Sequence, residues 1–158
     1  MPKPDVPVPS GIYETHLTVA DLEISTAFYR DVVGLELATR IPKRGIAFFW
    51  VGGKKNGMLG LWQTGGGPLG MRLHFAFKTP LEQVLTAPAA LSARGVKPLG
   101  FYGEPADEPS VLGWMPAASV FFKDPDGHSI EYIAVLDEAA DAEFGVGLWS
   151  DWQRRFTD

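Results

Sequence analysis

Cysteine is absent from the 158-residue chain, which excludes disulfide bonds, thiolate metal sites and a cysteine nucleophile. Basic residues are also few: 14 Lys and Arg stand against 19 Asp and Glu, and the net charge of −5 argues against nucleic acid or an anionic membrane as the main partner. No apolar run approaches the ~20 residues that span a membrane. Residues 1–10, MPKPDVPVPS, lack the apolar core of a signal peptide and are expected to form an extended arm. These absences favour a cytoplasmic protein.

The composition that remains is that of a globular protein, with 46% hydrophobic and 21% charged residues. The length allows one domain or two small fused modules with a sizeable core. The Gly-rich run TGGGPLG is typical of a flexible linker and lacks the GxxxxGK[ST] pattern of a phosphate loop. We therefore predict modules at 11–63 and 70–135, a linker at 64–69 and a C-terminal tail at 136–158.

The first module has the pattern βαβββ. An alternating run predicts a strand at 11–20, and Asp21 and Gly34 are typical of a helix N-cap and a helix stop. The apolar residues of this helix recur at helical spacing, at Leu22, Ala27, Phe28 and Val32. The strands that follow are predicted at 35–41, 46–51 and 58–63.

The second module repeats the pattern. Its first strand, predicted at 71–78, should bury Leu73, Phe75 and Phe77, as the first helix should bury Phe28. The run Thr79-Pro80-Leu81-Glu82 is typical of a capping box with Pro at the first helical position. Pro88 should then kink or restart the helix, and Gly95 should end it.

Two connecting segments of this half leave alternatives open. After a strand predicted at 96–102, residues 103–116 form a long acidic, Pro-rich loop, which is either a substrate lid or a plain connector. In the tail, Ser150 and Gln153 are typical of a second capping box. The apolar stripe of this helix, formed by Leu148, Trp149, Trp152 and Phe156, must be covered by its own domain or by a second subunit.

The last two strands form a hairpin around Asp124-Pro125-Asp126-Gly127, since Asp-Pro and Asp-Gly both favour turns. Glu131 is a carboxylate inside the otherwise apolar second strand of this hairpin. Burial of an unpaired charge is costly, so Glu131 either meets water and a cation or binds a metal. Its neighbour His128 lies beside the turn and is expected to be exposed.

Three further polar residues lie on predicted strands: Glu14 and His16 on the first strand of the first module, and His74 on the first strand of the second. A single histidine on a strand is more often a hydrogen-bonded structural residue than a ligand. Their placement at equivalent strands of two repeats is what makes a shared role worth considering.

The FxDPDGxxxE hairpin that closes a βαβββ unit resembles the vicinal oxygen chelate superfamily over residues 11–135. This superfamily includes glyoxalase I, fosfomycin-resistance proteins, methylmalonyl-CoA epimerase, extradiol dioxygenases and bleomycin-resistance proteins. The resemblance implies an α+β fold in which two βαβββ modules form one open, cup-shaped mixed sheet with the helices outside.

The resemblance also implies one divalent metal ion, held by His16, His74 and Glu131 and open to substrate. This ligand set suits Fe, Mn, Ni, Co or Zn and does not choose among them. Glu14 is an alternative or additional ligand, because relatives carry the first ligand seven residues before the Asp that opens the helix, and residues i and i+2 of a strand share a face.

Two departures from the family pattern narrow the reaction. Gly60 stands where glyoxalase I has a fourth ligand, a glutamate, which weakens an assignment to glyoxalase I itself. Phe122 replaces the Tyr of extradiol dioxygenases and residues 113–115 supply no His, so ring cleavage is not expected.

The function implied is that of a glyoxalase-like lyase, isomerase or transferase. The metal would stabilise an oxyanion of a small, oxygen-rich substrate as a Lewis acid. Glu131 or Glu14 is the candidate general base, and the candidate substrate-binding residues are Arg72, Trp62, Trp114 and Thr18. A homodimer is expected, as in many relatives. The alternatives are a metal-free protein that sequesters a drug in an aromatic cleft, as bleomycin-resistance proteins do, and a protein whose metal is structural or vestigial.

Overall fold

The computed structural model describes residues 11–63 and 72–157. The arm predicted at 1–10 and the linker predicted at 64–69 lie outside the described residues. The chain divides into two compact units, Met1–Leu69 and Gly70–Asp158.

The first unit contains one mixed four-stranded sheet and one helix. Its strands are β1 (Glu14–Val19), β2 (Glu36–Ile41), β3 (Ile46–Trp50) and β4 (Met58–Gln63), with helix α1 (Leu22–Asp31) after β1 and a 3-10 turn (Pro42–Arg44) after β2. The sheet order is β1-β4-β3-β2, in which β1 and β4 are parallel and the other pairs antiparallel. The chain must cross over to make the parallel pair, and α1 lies in that connection, between β1 and β2.

Helix α1 begins as predicted, because the Asp21 side chain accepts a hydrogen bond of 2.9 Å from the Ile24 N–H. Its apolar face differs from the prediction. The buried side is formed by Leu22, Ser25, Thr26 and Tyr29, whereas Ala27, Phe28 and Val32 are only half-buried. Tyr29, fully buried against Phe49 at a ring distance of 6.2 Å, takes the place in the core that the sequence suggested for Phe28.

The second unit repeats the same strand order and adds one strand. Its elements are β5 (His74–Lys78), α2 (Leu81–Ser92), β6 (Ser110–Leu112), β7 (Ala117–Lys123), β8 (Ser129–Val135), β9 (Val146–Leu148) and α3 (Trp149–Arg154). The sheet order is β5-β8-β7-β6-β9, with β5 parallel to β8 and every other pair antiparallel. Two βαβββ units with mixed sheets confirm the predicted α+β class. That the two sheets join into one cup stays a prediction.

The strand predicted at 96–102 is wrong. Only Leu99 pairs there, through isolated bridges to Pro105 and Phe121. The residues around it cannot extend the ladder, because Pro98 has no N–H and the Gly103 N–H bonds back to the Gly100 carbonyl at 3.0 Å in a tight turn. The second strand of the repeat is instead β6, which lies inside the segment predicted as a loop at 103–116.

Both predicted capping boxes in this unit are also wrong. The Thr79 hydroxyl donates to the Phe77 carbonyl at 3.0 Å, and α2 begins after Pro80 without a side-chain cap. Helix α3 begins at Trp149, where Glu108 accepts hydrogen bonds from the N–H and the hydroxyl of Ser150, at 2.8 and 3.0 Å. A carboxylate from a distant loop thus does what Gln153 was expected to do.

The packing of the second unit places its core between the sheet and α2. Helix α2 runs without interruption through Pro88, which is buried, and packs on β7 and β8. Of the residues predicted to be buried on the first strand, Phe77 is buried, while Leu73 and Phe75 are half-buried. The opposite face of the sheet carries His74 and Glu131. No helix of the described residues has the length and apolar character needed to cross a membrane.

Candidate functional site

The position of Glu131 is set by the turn between β7 and β8. The Asp124 carboxylate accepts hydrogen bonds from the N–H groups of Asp126 and His128, at 3.0 and 2.8 Å, and Gly127 adopts a φ of 83°. This turn fixes the register in which Glu131 stands opposite Phe121 on β7. On its other side Glu131 lies beside Ala76 of β5. The predicted hairpin is therefore present.

His128, expected to be exposed, is buried, with only 2% of its surface accessible. Its Nδ1 accepts a hydrogen bond of 3.0 Å from the Leu73 N–H, immediately before β5. The expectation failed because a turn position suggests solvent, whereas this imidazole is used to attach the hairpin to the neighbouring strand. His128 thereby helps to place His74 next to β8.

His74 and Glu131 form a close pair on the open face of the second sheet. The Nε2 atom of His74 lies 3.3 Å from Oε2 of Glu131, and the side chains are 52% and 8% exposed. The Nδ1 of His74 lies 3.1 Å from the Ser129 carbonyl, which can only accept, so Nδ1 carries the proton. A neutral His74 consequently directs the Nε2 lone pair toward the carboxylate. Either a proton or a cation must lie between these two atoms.

This pair fits a divalent cation. Two ligands at about 2.0–2.2 Å from one ion, at nearly a right angle, are separated by roughly 3 Å, close to the distance found. The carbonyl of Ser129 fixes the tautomer and the ring orientation of His74, as an outer partner does for a metal-binding histidine. Within residues 11–63 and 72–157, no group of three or more His, Asp or Glu side chains is placed to hold a metal. The described residues therefore bring two candidate ligands together, and a contribution of His16 or Glu14 stays a prediction.

His16 in the first unit has a different set of partners. The Trp62 indole N–H donates to Nδ1 of His16 at 2.6 Å, and Nε2 of His16 contacts Oε1 of Glu14. Because Nδ1 is an acceptor here, Nε2 carries the proton and donates it to Glu14. Both ring nitrogens of His16 are thus engaged. Metal binding through Nε2 would move the proton to Nδ1, where it would face the indole N–H, so the indole would have to turn away. Glu14 and His16 are each a little over one third exposed.

Gly60 explains how His16 fits against the sheet. A Cβ atom at this position would lie 3.2 Å from Cδ2 and Cγ of His16 and 3.0 Å from Cε1 of Phe48. The space beside Gly60, the position that corresponds to the fourth ligand of glyoxalase I, is thus filled by the rings of His16 and Phe48. The Phe48 ring meets the imidazole edge-on at a centroid distance of 5.7 Å.

The four predicted substrate-binding residues are placed differently. Thr18 is exposed on β1 in register with Trp62, whose ring lies under the Arg44 guanidinium at 5.1 Å. Arg72 is exposed and lies against the hairpin turn, since a Cβ at Gly127 would be 3.1 Å from its Nε. Thr18 thus follows His16 by two residues on β1, and Arg72 precedes His74 by two residues.

Trp114 is not brought to the His74–Glu131 pair. It is 62% exposed in the turn between β6 and β7. Along β7, Ala117 near this turn and Phe121 opposite Glu131 are separated by four residues, or roughly 13 Å of strand.

Phe101, Tyr102 and Phe121 were not singled out in the sequence. Their rings continue from His74 across the open face of the second sheet, with centroid distances of 6.1 Å from His74 to Phe121 and 6.0 Å from Phe121 to Phe101. The adjacent aromatic pair between two glycines, GFYG, is the sequence signal for this feature, but these residues were included in the strand predicted at 96–102.

The comparisons with known proteins agree with this arrangement. A family model described as the glyoxalase/bleomycin resistance protein/dioxygenase superfamily matches residues 11–132. An integron cassette protein from the mobile metagenome of a Halifax Harbour sewage outfall is 29% identical over 80% of this chain and 100% of its own, with a TM-score of 0.69. No protein of curated function matches the chain.

Two further solved structures are similar. A glyoxalase/bleomycin resistance protein/dioxygenase from Nocardioides is 31% identical over 86% of this chain and 89% of its own, with a TM-score of 0.56. Lactoylglutathione lyase from Agrobacterium tumefaciens is 26% identical over 80% of this chain and 95% of its own, with a TM-score of 0.60.

Proposed function

Because the chain belongs to the glyoxalase/bleomycin resistance protein/dioxygenase superfamily, we propose that it is a metal-dependent enzyme of the glyoxalase-like group. Its reaction is that of a lyase, isomerase or transferase on a small, oxygen-rich substrate. The observation that carries the proposal is the His74–Glu131 pair, whose donor atoms lie 3.3 Å apart. The similarity to a lactoylglutathione lyase supports this reaction group.

Each residue of the pair has a distinct role in the proposal. Ser129 holds the His74 ring so that Nε2 offers its lone pair. Glu131 is nearly buried, so its negative charge needs a cationic partner there. A divalent cation bound by these two residues would supply Lewis-acid polarisation of substrate oxygens.

Proton transfer and substrate orientation fall to neighbouring side chains. The carboxylate of Glu131, or that of Glu14, serves as general base toward a substrate C–H or O–H. Arg72 provides a positive charge beside the hairpin turn for an anionic substrate group. Trp62 and Thr18 stay proposed contacts from the first unit.

Metal binding is the primary test. Purified protein should take up a divalent ion such as Ni²⁺, Zn²⁺, Mn²⁺ or Co²⁺ in calorimetric titration. His74→Ala and Glu131→Gln should each weaken the affinity by about tenfold or more, since loss even of an outer-shell partner typically costs 10–100-fold. Glu36→Gln, on exposed β2, is the matched control and should bind like the unchanged protein. Equal affinity in all four proteins would refute the metal site.

The reaction class is tested with the metal-loaded protein against adducts of 2-oxoaldehydes with thiols, phosphonate epoxides and catechols. Turnover of one class that is lost in Glu131→Gln supports the enzyme. His16→Ala and Glu14→Gln, titrated with metal alongside, test whether either residue adds a ligand. Drug binding without any metal uptake or turnover would favour the sequestering protein instead.

A further inference from the structure

The open face of the second sheet carries a row of aromatic rings that begins at the His74–Glu131 pair. Phe121 stands opposite Glu131 in the strand register, and its ring lies 6.1 Å from that of His74. Phe101 follows at 6.0 Å from Phe121, and Tyr102 at 5.1 Å from Phe101. Phe101 and Tyr102 are 42% and 78% exposed, so large apolar surface faces outward beside a polar site.

The loop that presents these rings is firmly attached to the sheet. Leu99 exchanges two backbone hydrogen bonds with Phe121, at 2.7 and 2.9 Å. The Phe101 N–H donates to the hydroxyl of buried Ser110 at 3.0 Å. Gly100 closes the loop by donating to the Glu104 carbonyl at 2.8 Å. The backbone that carries the exposed aromatic rings is consequently fixed on the sheet.

From this geometry we propose that Phe101, Tyr102 and Phe121 form an aromatic wall of the ligand site. The inference rests on the proposed function, because the wall is useful to a ligand that also reaches the His74–Glu131 cation. The ligand class is a small molecule in which a flat aromatic or conjugated group is joined to two adjacent oxygen donors. The oxygens meet the cation and the ring stacks on the wall.

Two physical arguments select this class. Aromatic rings pair with one another at centroid distances of about 4.5–7 Å, which is the spacing that the wall already shows between its own members. Binding surfaces that are ordered in advance lose less entropy on binding, and the hydrogen bonds of the Leu99–Glu104 loop provide that order. An aliphatic ligand would use the cation but gain little from the rings.

The test compares benzohydroxamate with acetohydroxamate on Ni²⁺-loaded protein, measured by calorimetry. Both compounds present the same two adjacent oxygens, and only the first carries a ring. Benzohydroxamate should bind about tenfold more tightly, as expected for one stacked ring. The double variant Phe101→Ala/Tyr102→Ala should remove most of this preference and leave the affinities for acetohydroxamate and Ni²⁺ unchanged. Ile24→Ala, which removes an exposed apolar side chain of α1, should keep it.

The outcomes separate the two proposals. Equal binding of the two hydroxamates to the metal-loaded wild type overturns the wall and leaves the metal site standing. Failure of the wild type to bind Ni²⁺ overturns both. If the double variant is unstable, Tyr102→Ala alone, at the most exposed ring, should lower the preference about threefold or more. A double variant that keeps the preference but dissociates in sedimentation would overturn the wall and show a protein interface.

Discussion

The two histidines of the candidate site differ in what their hydrogen-bond partners allow. The acceptor at Nδ1 of His74 is a carbonyl, which leaves the Nε2 lone pair available toward Glu131. The partner at Nδ1 of His16 is the Trp62 indole, a donor, which forces the proton onto Nε2. The two histidines occupy equivalent strands of the two repeats, so the sequence treats them alike. The sequence does not show whether the hydrogen-bond partner of each imidazole is a donor or an acceptor.

Gly60 provides a prediction at the scale of one residue. Gly60→Ala should cost about 1–3 kcal/mol in the free energy of unfolding, because the added methyl meets Phe48 and His16 at 3.0 and 3.2 Å. The measurement is urea denaturation. Gly11→Ala is the matched control, since nothing lies within 4 Å of a Cβ there. Equal stabilities of the two variants would contradict the close packing of His16 on β4.

The hairpin turn provides a prediction at the scale of one element. Asp124→Ala removes the acceptor of the Asp126 and His128 N–H groups, and the His128 N–H is buried. A buried donor without a partner costs about 1–3 kcal/mol, so thermal unfolding should show a clear loss of stability. Asp137→Ala, at an exposed position after β8, is the control and should change little. A loss no larger than that of the control would mean that the turn does not depend on Asp124.

Tyr132 on β8 provides a prediction about pH. Burial raises the pKa of Tyr132 to about 12, with Arg94 acting weakly in the opposite direction. The protonated phenol is favoured in the folded state, so its contribution is complete below the unfolded pKa of about 10 and is lost as the pH rises toward 12. Between pH 9 and pH 11 the wild type should lose about 1 kcal/mol more unfolding free energy than Tyr132→Phe. Parallel curves for the two proteins would indicate that the phenol is not buried.

The elements show where sequence reasoning succeeds. The Asp21 cap, the hairpin around Asp124 and Gly127, and strand β4 at Met58–Gln63 follow from local signals that the structure retains. These features depend on residues close in sequence. Features of this kind mark the helices and strands of both βαβββ units, so the fold class could be predicted.

The failures have tertiary causes. Residues 96–102 have strand composition, yet only Leu99 pairs. The three residues of β6 form a strand because β7 and β9 pair with them on both sides. Thr79 and Ser150 bond to other partners than the local capping box requires. Such partners come from distant segments and leave no local pattern.

The two units make the same sheet from different sequences. In each, the first and last strands of the βαβββ pattern are parallel neighbours, and a helix follows the first strand. The repeat therefore lies in the order of polar and apolar positions rather than in shared residues.

The homodimer stays a prediction. Sedimentation velocity at micromolar concentration should give a dimer, and a monomer would refute it.

The tail is what distinguishes the second unit from the first. Strand β9 covers the edge of β6, and α3 packs on both strands. Of the predicted stripe only Trp152 is fully buried on its own unit, between Phe144 and Phe156 at ring distances of 4.9 and 5.8 Å, whereas Leu148 and Phe156 stay exposed. Arg155 lies 4.2 Å above the Trp152 ring and forms an ion pair with Asp141.

Removing that anchor should loosen a whole edge of the sheet. Trp152→Ala should cost about 3–5 kcal/mol and speed hydrogen exchange in β6 and β9, because the sheet edge loses its cover. Trp152→Phe should cost much less stability. The indole N–H is buried without a partner among the described residues, which is unfavourable, so its removal offsets part of the packing lost with the larger ring. Phe156→Ala, at a half-exposed ring, is the control. Unchanged exchange in β6 and β9 of Trp152→Ala would mean that the tail does not stabilise the sheet.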